Sequence, residues 1–439
     1  MPSYPTRESL PMTDSTQPDG VGRREYMRGA AAAGLAGTTL FAGCLTGGDG
    51  GGDGGSEVEV LHGWTGGDGA DAADALFTAF EEEHSDVPTN VRPIGGEGNQ
   101  ALDQVVAQRL QSDEPPSSFA GWPGPNMLQY EGVLGDVEEE VWDEAGLKDA
   151  HAPEVVEICQ GPDGYSAVPI GSHRMNDLFY NVSVIEEAGV DPDSIDSFDA
   201  LVSAMDAIES ETNATPYVNT MQSWTVLQFW AVNMLGSQGY EAYMNFIEGN
   251  GDREQVRAAF DNAEVILSEY INGDAPEIGF TEANQRIMAG DAGFIHQGNW
   301  VAGAYGDDFV FGEDWDRIQY PGTENMYGLH FDSFLYPADN PSADNTHTFL
   351  QFVGSETAHI EFNRLKGSIP TREVPTDRFN PYLTETIEDF NSAERRPPTL
   401  AHGLAVPQST QSELETAITN NFADPFDAEA ATNQFMNIV

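Results

Sequence analysis

Val58-Glu59-Val60-Leu61, Asn90-Val91-Arg92-Pro93-Ile94 and Ser118-Phe119-Ala120-Gly121 are three short strand-like runs separated by two stretches of helical period. In the first stretch Ala73, Leu76, Phe77 and Phe80 fall on one face of a helix over 72–84. In the second, Leu102, Val105, Val106, Arg109 and Leu110 recur with the same period in a helix over 99–111. The order β-α-β-α-β predicts an α/β fold with a mostly parallel sheet, covered by helices on both faces.

Working outward, helices fit residues 198–209, 226–235, 253–271 and 282–289, and strands fit 293–297 and 331–336. The chain turns helical and loop-rich after Ser355 and closes with helices over 410–421 and 428–438. No solenoid-length repeat is present, which argues against solenoids and propellers. Two α/β lobes joined by more than one crossing are the simplest arrangement. The first is expected over about 57–165 plus a later return segment, the second over about 175–320 plus the C-terminal helices.

Upstream of this domain, Arg23-Arg24-Glu25-Tyr26-Met27-Arg28 precedes an Ala/Gly/Leu stretch over 29–42, the outline of a twin-arginine export signal. That stretch is too short and too rich in small residues for a membrane span, which needs about 20 strongly apolar residues. Leu40-Phe41-Ala42-Gly43-Cys44 resembles a lipoprotein box, so Cys44 is expected to carry a lipid anchor once residues 1–43 are removed. The Gly/Asp-rich run after Cys44, to residue 56, reads as a flexible tether. The expected location is the outer face of the cell membrane. Only Cys159 then remains, so no disulfide is expected.

The sequence holds 73 Asp plus Glu against 18 Lys plus Arg, a formal net charge of −55. Residues 1–43 carry four of each sign, so that charge belongs to the rest. Such a surface repels nucleic acid, whose affinity rests on Lys and Arg displacing counterions, and it disfavours anionic membranes. It suits concentrated brine, where screening shortens to about 3 Å and relieves self-repulsion. Lys148 and Lys366 are the only lysines beside sixteen arginines, a bias that resembles proteins of extremely halophilic archaea.

Catalytic motifs are absent. No two of the nine histidines have the spacing of a zinc site on one helix, so neither metal nor cofactor is expected. There is no Gly-x-Ser-x-Gly elbow, and neither lysine is followed by Ser or Thr as a phosphate loop requires. Gly96-Glu97-Gly98-Asn99-Gln100-Ala101 matches a dinucleotide fingerprint but follows the second strand rather than the first, and the acidic partner would fall in a loop. A Gly-rich turn there can instead face a polar ligand, which adds Glu97 to the candidates.

Tryptophan is more informative. Trp64, Trp122, Trp224 and Trp300 each sit at a strand end or a loop-to-helix turn among small or polar residues, whereas Trp230 and Trp315 lack that setting. Ligands of open α/β sheets collect at the carboxyl ends of strands. Indole faces stack on the C–H faces of a sugar ring, and polar side chains hydrogen-bond its hydroxyls.

These residues and their neighbours resemble the carbohydrate-binding proteins of ABC importers, in the cluster that includes glucose- and galactose-binding members. The resemblance rests on His62-Gly63-Trp64-Thr65-Gly66-Gly67-Asp68, on the run from Gly164 to Asn181, and on Gly298-Asn299-Trp300. Asp332-Ser333-Phe334, Lys366-Gly367-Ser368-Ile369-Pro370-Thr371-Arg372 and Ala401-His402-Gly403 complete it. It implies a two-lobed, periplasmic-binding-protein-like (type II) clamshell with a multi-segment hinge. Such a protein closes on sugar and then docks on membrane permease subunits as a monomer. By motif, Trp64 and Asp68 would lie in the first cleft loop, Trp122 at the next strand end and Trp224 on the opposing lobe, with Asn299, Trp300, Asp332, Lys366 and His402 completing the site.

Asn299 replaces the Asp more often found before that tryptophan. Gly63 stands where relatives often have a second tryptophan, and Trp122 where glucose binders tend to have His. His173 and Asn176 fit a ligand site or a hinge equally. The expected function is a non-enzymatic receptor for a mono- or small oligosaccharide, glucose-like by preference. The rivals are a secreted glycan-cleaving enzyme, whose paired carboxylates cannot be picked out among so many acids, and a same-fold receptor for a different solute.

Overall fold

The computed structural model describes residues 57–95, 100–162, 164–306 and 308–439. Glu97, Cys44, the export signal and the tether lie outside these. Nine strands build two sheets: β1 (Val58–His62), β2 (Thr89–Pro93), β3 (Ser118–Gly121), β4 (Ala167–Arg174), β5 (Asp177–Asn181), β6 (Thr215–Tyr217), β7 (Ala292–His296), β8 (Trp315–Gln319) and β9 (Leu329–Leu335). A small hairpin, Gln160–Gly161 with Gly164–Tyr165, stands apart from both.

The first sheet has the order β2-β1-β3-β9-β4. β1 runs parallel to β2 and β3, as the β-α-β-α-β segment predicts, but β9 enters antiparallel to both β3 and β4. The second sheet, β8-β5-β7-β6, has only β6 and β7 parallel. The expectation of mostly parallel sheets is therefore corrected to mixed sheets. The cause is connectivity: β4 continues directly into β5 and β8 returns into β9, so the chain passes between sheets without a helical crossover to restore direction.

β4 has no counterpart among the sequence-predicted strands. All eight of its residues are buried, including Ser172, His173 and Arg174, so it shows neither alternation nor an apolar run. It also contains Pro169, which removes a ladder donor. The structure accommodates that proline at a register shift, where Asp332 pairs with Gly171 and Ser333 with Pro169, leaving Ile170 as the extra residue.

Helix α1 (Gly67–Glu83) buries Ala72, Ala73, Leu76, Phe77 and Phe80 and packs along α4 (Glu356–Lys366). α2 (Gln100–Gln111) contributes Leu102, Val106 and Leu110 to the same core. The second core lies between β5–β7 and the helices Phe198–Glu211, α3 (Ser223–Gln238), Arg253–Glu269, Gln408–Asn421 and Ala428–Ile438. Trp230 and Trp315 are buried in cores, in keeping with their lack of a loop setting.

Three segments pass between the sheets: Met175-Asn176, residues 320–328, and residues 395–399, which run beside 326–329 through bridges Met326 to Arg395 and Leu329 to Pro398. Asn176 ties the first two. Its Nδ2 donates to Thr323 Oγ1 (3.0 Å) and to the Met326 carbonyl (3.1 Å), and its Oδ1 accepts from the Gly328 N–H (2.8 Å). Around it, Arg174 and Arg317 share Asp177 and Asp389, the latter supplied by helix α5 (Pro381–Ser392). Arg174 and Asp177 are fully buried, a setting in which a charge persists only when paired.

Candidate functional site: an aromatic cluster between two sheet edges

β1, β3 and β4 run the same way, so their carboxyl ends lie along one edge of the first sheet, together with the amino half of β9. In the second sheet the carboxyl ends of β6 and β7 share an edge from which the loops to Trp224 and Trp300 emerge. Side chains from these two edges meet. Trp122 lies 5.4 Å from His402 and 5.7 Å from His330, ring centre to ring centre. His402 lies 5.7 Å from Trp224 and 5.4 Å from Trp300, while His173 lies 5.4 Å from Trp300 and 5.8 Å from His330. Three indoles and three imidazoles thus form one continuous group, with His402 at its centre.

Each ring has a nitrogen directed at a protein acceptor. On the first sheet all converge on Asp332: Trp122 Nε1 donates to Oδ1 at 3.3 Å, His330 Nε2 faces Oδ1 at 3.6 Å, and His173 Nε2 faces Oδ2 at 3.5 Å. On the other side three glutamines do this work. Trp224 Nε1 donates to Gln222 Oε1 (2.8 Å), Trp300 Nε1 donates to Gln297 Oε1 (3.3 Å), and His402 Nε2 pairs with Gln228 Oε1 (3.0 Å). Gln297 is itself anchored, donating to Asn219 Oδ1 at 3.1 Å while Asn219 donates to the His296 carbonyl at 2.9 Å. With their N–H groups taken, the indoles offer a ligand their faces alone.

The electrostatics follow from burial. Burial would raise Asp332, yet the facing His173 and His330 nitrogens hold its carboxyl well below the usual carboxylate range. Burial, then the nearby Lys366 charge, lowers His173, and burial, then His330, holds His402 well below the ordinary imidazole value. At neutral pH the site therefore holds an ionised Asp332 beside the neutral rings of His173 and His402.

Two glycines make the close packing possible. A Cβ on Gly298 would fall 2.3 Å from Cζ3 of Trp300, so only glycine lets that indole fold back on its own loop. Gly367 ends α4 with φ +76°, and a Cβ there would meet the Gly303 nitrogen at 2.7 Å. That turn sets the end of α4 directly against the Asn299–Gly303 segment.

The sequence profile of the bacterial extracellular solute-binding protein family matches residues 75–378. A xylose/arabinose-binding protein, XacG, of Haloferax volcanii is 46% identical over 388 residues, covering 88% of this chain and 84% of that one. This chain belongs to the extracellular solute-binding protein family. An ABC transporter extracellular-binding protein of Pyrococcus horikoshii is 28% identical, with 87% of each chain covered. Among solved structures, the bacterial solute receptor AcbH superposes with a TM-score of 0.76 at 16% identity, covering 87% of this chain and 97% of that one. The GacH receptor of Streptomyces glaucescens superposes with a TM-score of 0.68 at 15% identity, covering 87% and 97%. The shared fold is the two-lobed clamshell. As a solute-binding protein the chain is not an enzyme.

The structure brings most of the sequence-predicted residues of this binding protein together, but not all. Trp122, His173, Trp224, Asn299, Trp300, Asp332 and His402 share the cluster, with Lys366 at its border. Trp64 leaves the end of β1 at the same edge, half-buried, yet its ring neighbours are His62, Phe334 and Phe362 rather than the other three indoles. Three of the four tryptophans therefore share the ring cluster, while α4 carries Phe362 against Trp64 at the same sheet edge. Asn176 belongs to the hinge, its amide fully used there. Asp68 lies in the first turn of α1, and its side chain, like Glu97, is outside the described part.

Sequence reasoning passed over His330 and the three glutamines. A signal existed: Gln222 and Gln297 precede their tryptophans by two and three residues, and Gln228 follows Trp224 by one helical turn.

Proposed function

We propose that the chain is the sugar-binding receptor of an ABC importer, exported through its twin-arginine signal and held to the outer membrane face by a lipid on Cys44. The single observation behind the ligand class is the cluster just described, in which flat aromatic faces from both sheets surround a few fixed polar groups. Trp122, Trp224 and Trp300 supply stacking faces; Asn299, Lys366 and His402 select hydroxyls, and Asp332 holds the rings of the first sheet in place. Stacking contributes on the order of 1 kcal/mol per ring beyond area burial, so three faces account for a useful share of a micromolar affinity of about 8 kcal/mol. Contacts from both lobes favour the closed form over the open one, and closure is what the permease reads.

The ligand we favour is a small aldose, with the pentoses xylose and arabinose ahead of glucose. The 46%-identical relative named for these pentoses supports that order, as do Trp122 in the place of a glucose binder's histidine and Gly63 in the place of a second tryptophan. Glucose is the competing reading from the resemblance of Asp332, Lys366 and His402 to the glucose-binding set. Calorimetric titration of the purified protein in molar KCl with d-xylose, l-arabinose and d-glucose tests this. Saturable heat from a pentose is the expected result, heat from glucose alone reverses the order, and heat from none removes the reading. Cys44→Ser should release the protein from membranes into the medium.

A further inference from the structure

Asn299 and His173 are fully buried neighbours, with Asn299 Oδ1 placed 2.8 Å from His173 Nδ1. Asn299 Nδ2 is buried with no hydrogen-bond partner. On the far side of the same imidazole, Nε2 faces Asp332 Oδ2 at 3.5 Å. A neutral imidazole has one N–H. If it sat on Nδ1 to serve Asn299 Oδ1, the Nε2 lone pair would point at a carboxylate in a poorly solvated place, and the asparagine NH2 would be left without an acceptor. Both are costly: an unmade buried donor carries its full desolvation penalty, and lone pair against carboxylate is repulsive.

Half a turn of the amide removes the clash of lone pair with carboxylate and gives the NH2 an acceptor, leaving the carbonyl oxygen as the group that awaits a donor. Oxygen and nitrogen of an asparagine are assigned by their hydrogen bonds, not by shape. Turned, Nδ2 donates to His173 Nδ1, Nε2 keeps its hydrogen and points it at Asp332, and the carbonyl oxygen takes the buried, unpartnered position that Nδ2 holds.

We propose that Asn299 stands with its amide nitrogen on His173 and its carbonyl oxygen toward the ligand, so that Asp332, His173 and Asn299 form a relay presenting one acceptor to one sugar hydroxyl. The role given to Asn299 rests on the sugar-receptor reading; the amide orientation does not. It makes His173 and Asp332 positioning residues that act through Asn299. The groups that face His173 are Asp332 and His330 from β9, Lys366 from the end of α4, and Asn299 with Trp300 from the loop after β7. Burial and the Lys366 charge both favour the neutral imidazole that the relay requires.

The orientation is tested without sugar. In ligand-free protein labelled with 15N-histidine, at neutral pH in molar KCl, long-range 1H–15N spectra report the tautomer of His173, assigned by its loss in His173→Gln. A neutral ring protonated on Nε2 is expected. A ring protonated on Nδ1, alone or together with Nε2, overturns the proposal. In Asn299→Asp the donor to Nδ1 is gone and two carboxylates flank the ring, so the same signal should become that of an imidazolium; an unchanged neutral ring counts against the relay. For the acceptor role, Asn299→Leu should weaken pentose binding about tenfold or more, while Asn299→Asp, which keeps an oxygen, stays within about threefold. Equal affinity in the Leu variant overturns that role, whereas absence of pentose binding by the unaltered protein refutes the sugar reading and leaves the tautomer result standing.

Discussion

The two halves of the cleft solve one problem in opposite ways. The first sheet gathers Trp122, His173 and His330 around one buried carboxylate, Asp332. The second gives Trp224, Trp300 and His402 a neutral glutamine each, Gln222, Gln297 and Gln228. A shared charged acceptor couples three rings, so disturbing it disturbs all. Separate amides leave the rings independent. The first half should therefore fail as a unit and the second piecewise.

The largest expected effect is at the shared acceptor. Asp332→Asn removes the charge on which three ring nitrogens converge, and hydrogen bonds to a charged group are worth about 1.5–3 kcal/mol each. Sugar affinity should fall about a hundredfold or more in calorimetry, with a change in tryptophan fluorescence before any sugar is added. A loss under about threefold would mean the carboxylate organises nothing.

Next in size is the response to acid, which should also separate the halves. Burial holds His62 at about 4 and His151 at about 3, and keeps His359 well below the normal value, all in the first lobe. The second sheet contributes His296, at about 4. For a lowered imidazole the unfolded chain, titrating near 6.5, binds more protons than the folded one, so stability is complete above about pH 6.5 and declines as pH falls toward the folded value. The lowered carboxyl of Asp332 acts in the same direction further down, below the ordinary carboxylate value. Hydrogen exchange in molar KCl at pH 5 should show β1, β4 and β9 losing protection before β5 and β7. The reverse order would contradict the assignment.

Smaller effects test the independence of the amides. Gln297→Met removes the acceptor of Trp300 and the link to Asn219 at a fully buried position, and should cost about tenfold in affinity. Gln222→Met, at a half-buried position where water can replace the lost partner of Trp224, should cost about threefold or less. The double variant should be close to the product of the two. A marked excess over that product would make the second half a unit like the first.

The same contrast explains what the sequence disclosed. The 58–121 segment was legible because its two helices carry a clear apolar face and its short strands alternate with them. β4 was not, because burial on every side with a proline, a histidine and an arginine in eight residues erases any pattern. The tryptophans could be read because their glycine- and polar-rich settings differ from those of Trp230 and Trp315. The ring neighbours of Trp64 were not legible, because Phe362 lies almost 300 residues away in the sequence. Asp332 was found only through its resemblance to a family motif, and the glutamines, ordinary polar residues on an exported protein, carried no mark beyond their distance from an indole.

The interleaved path of the chain has a consequence for its synthesis. The first sheet lacks its fourth strand in order until residue 335 is made, and the second core lacks Leu414, Ile418 and Phe435 until the last helices emerge. A chain that ends before residue 329 lacks the strand between β3 and β4, and lacks as well the last helices that close the second core, so neither half can seal its interior until most of the sequence has been made.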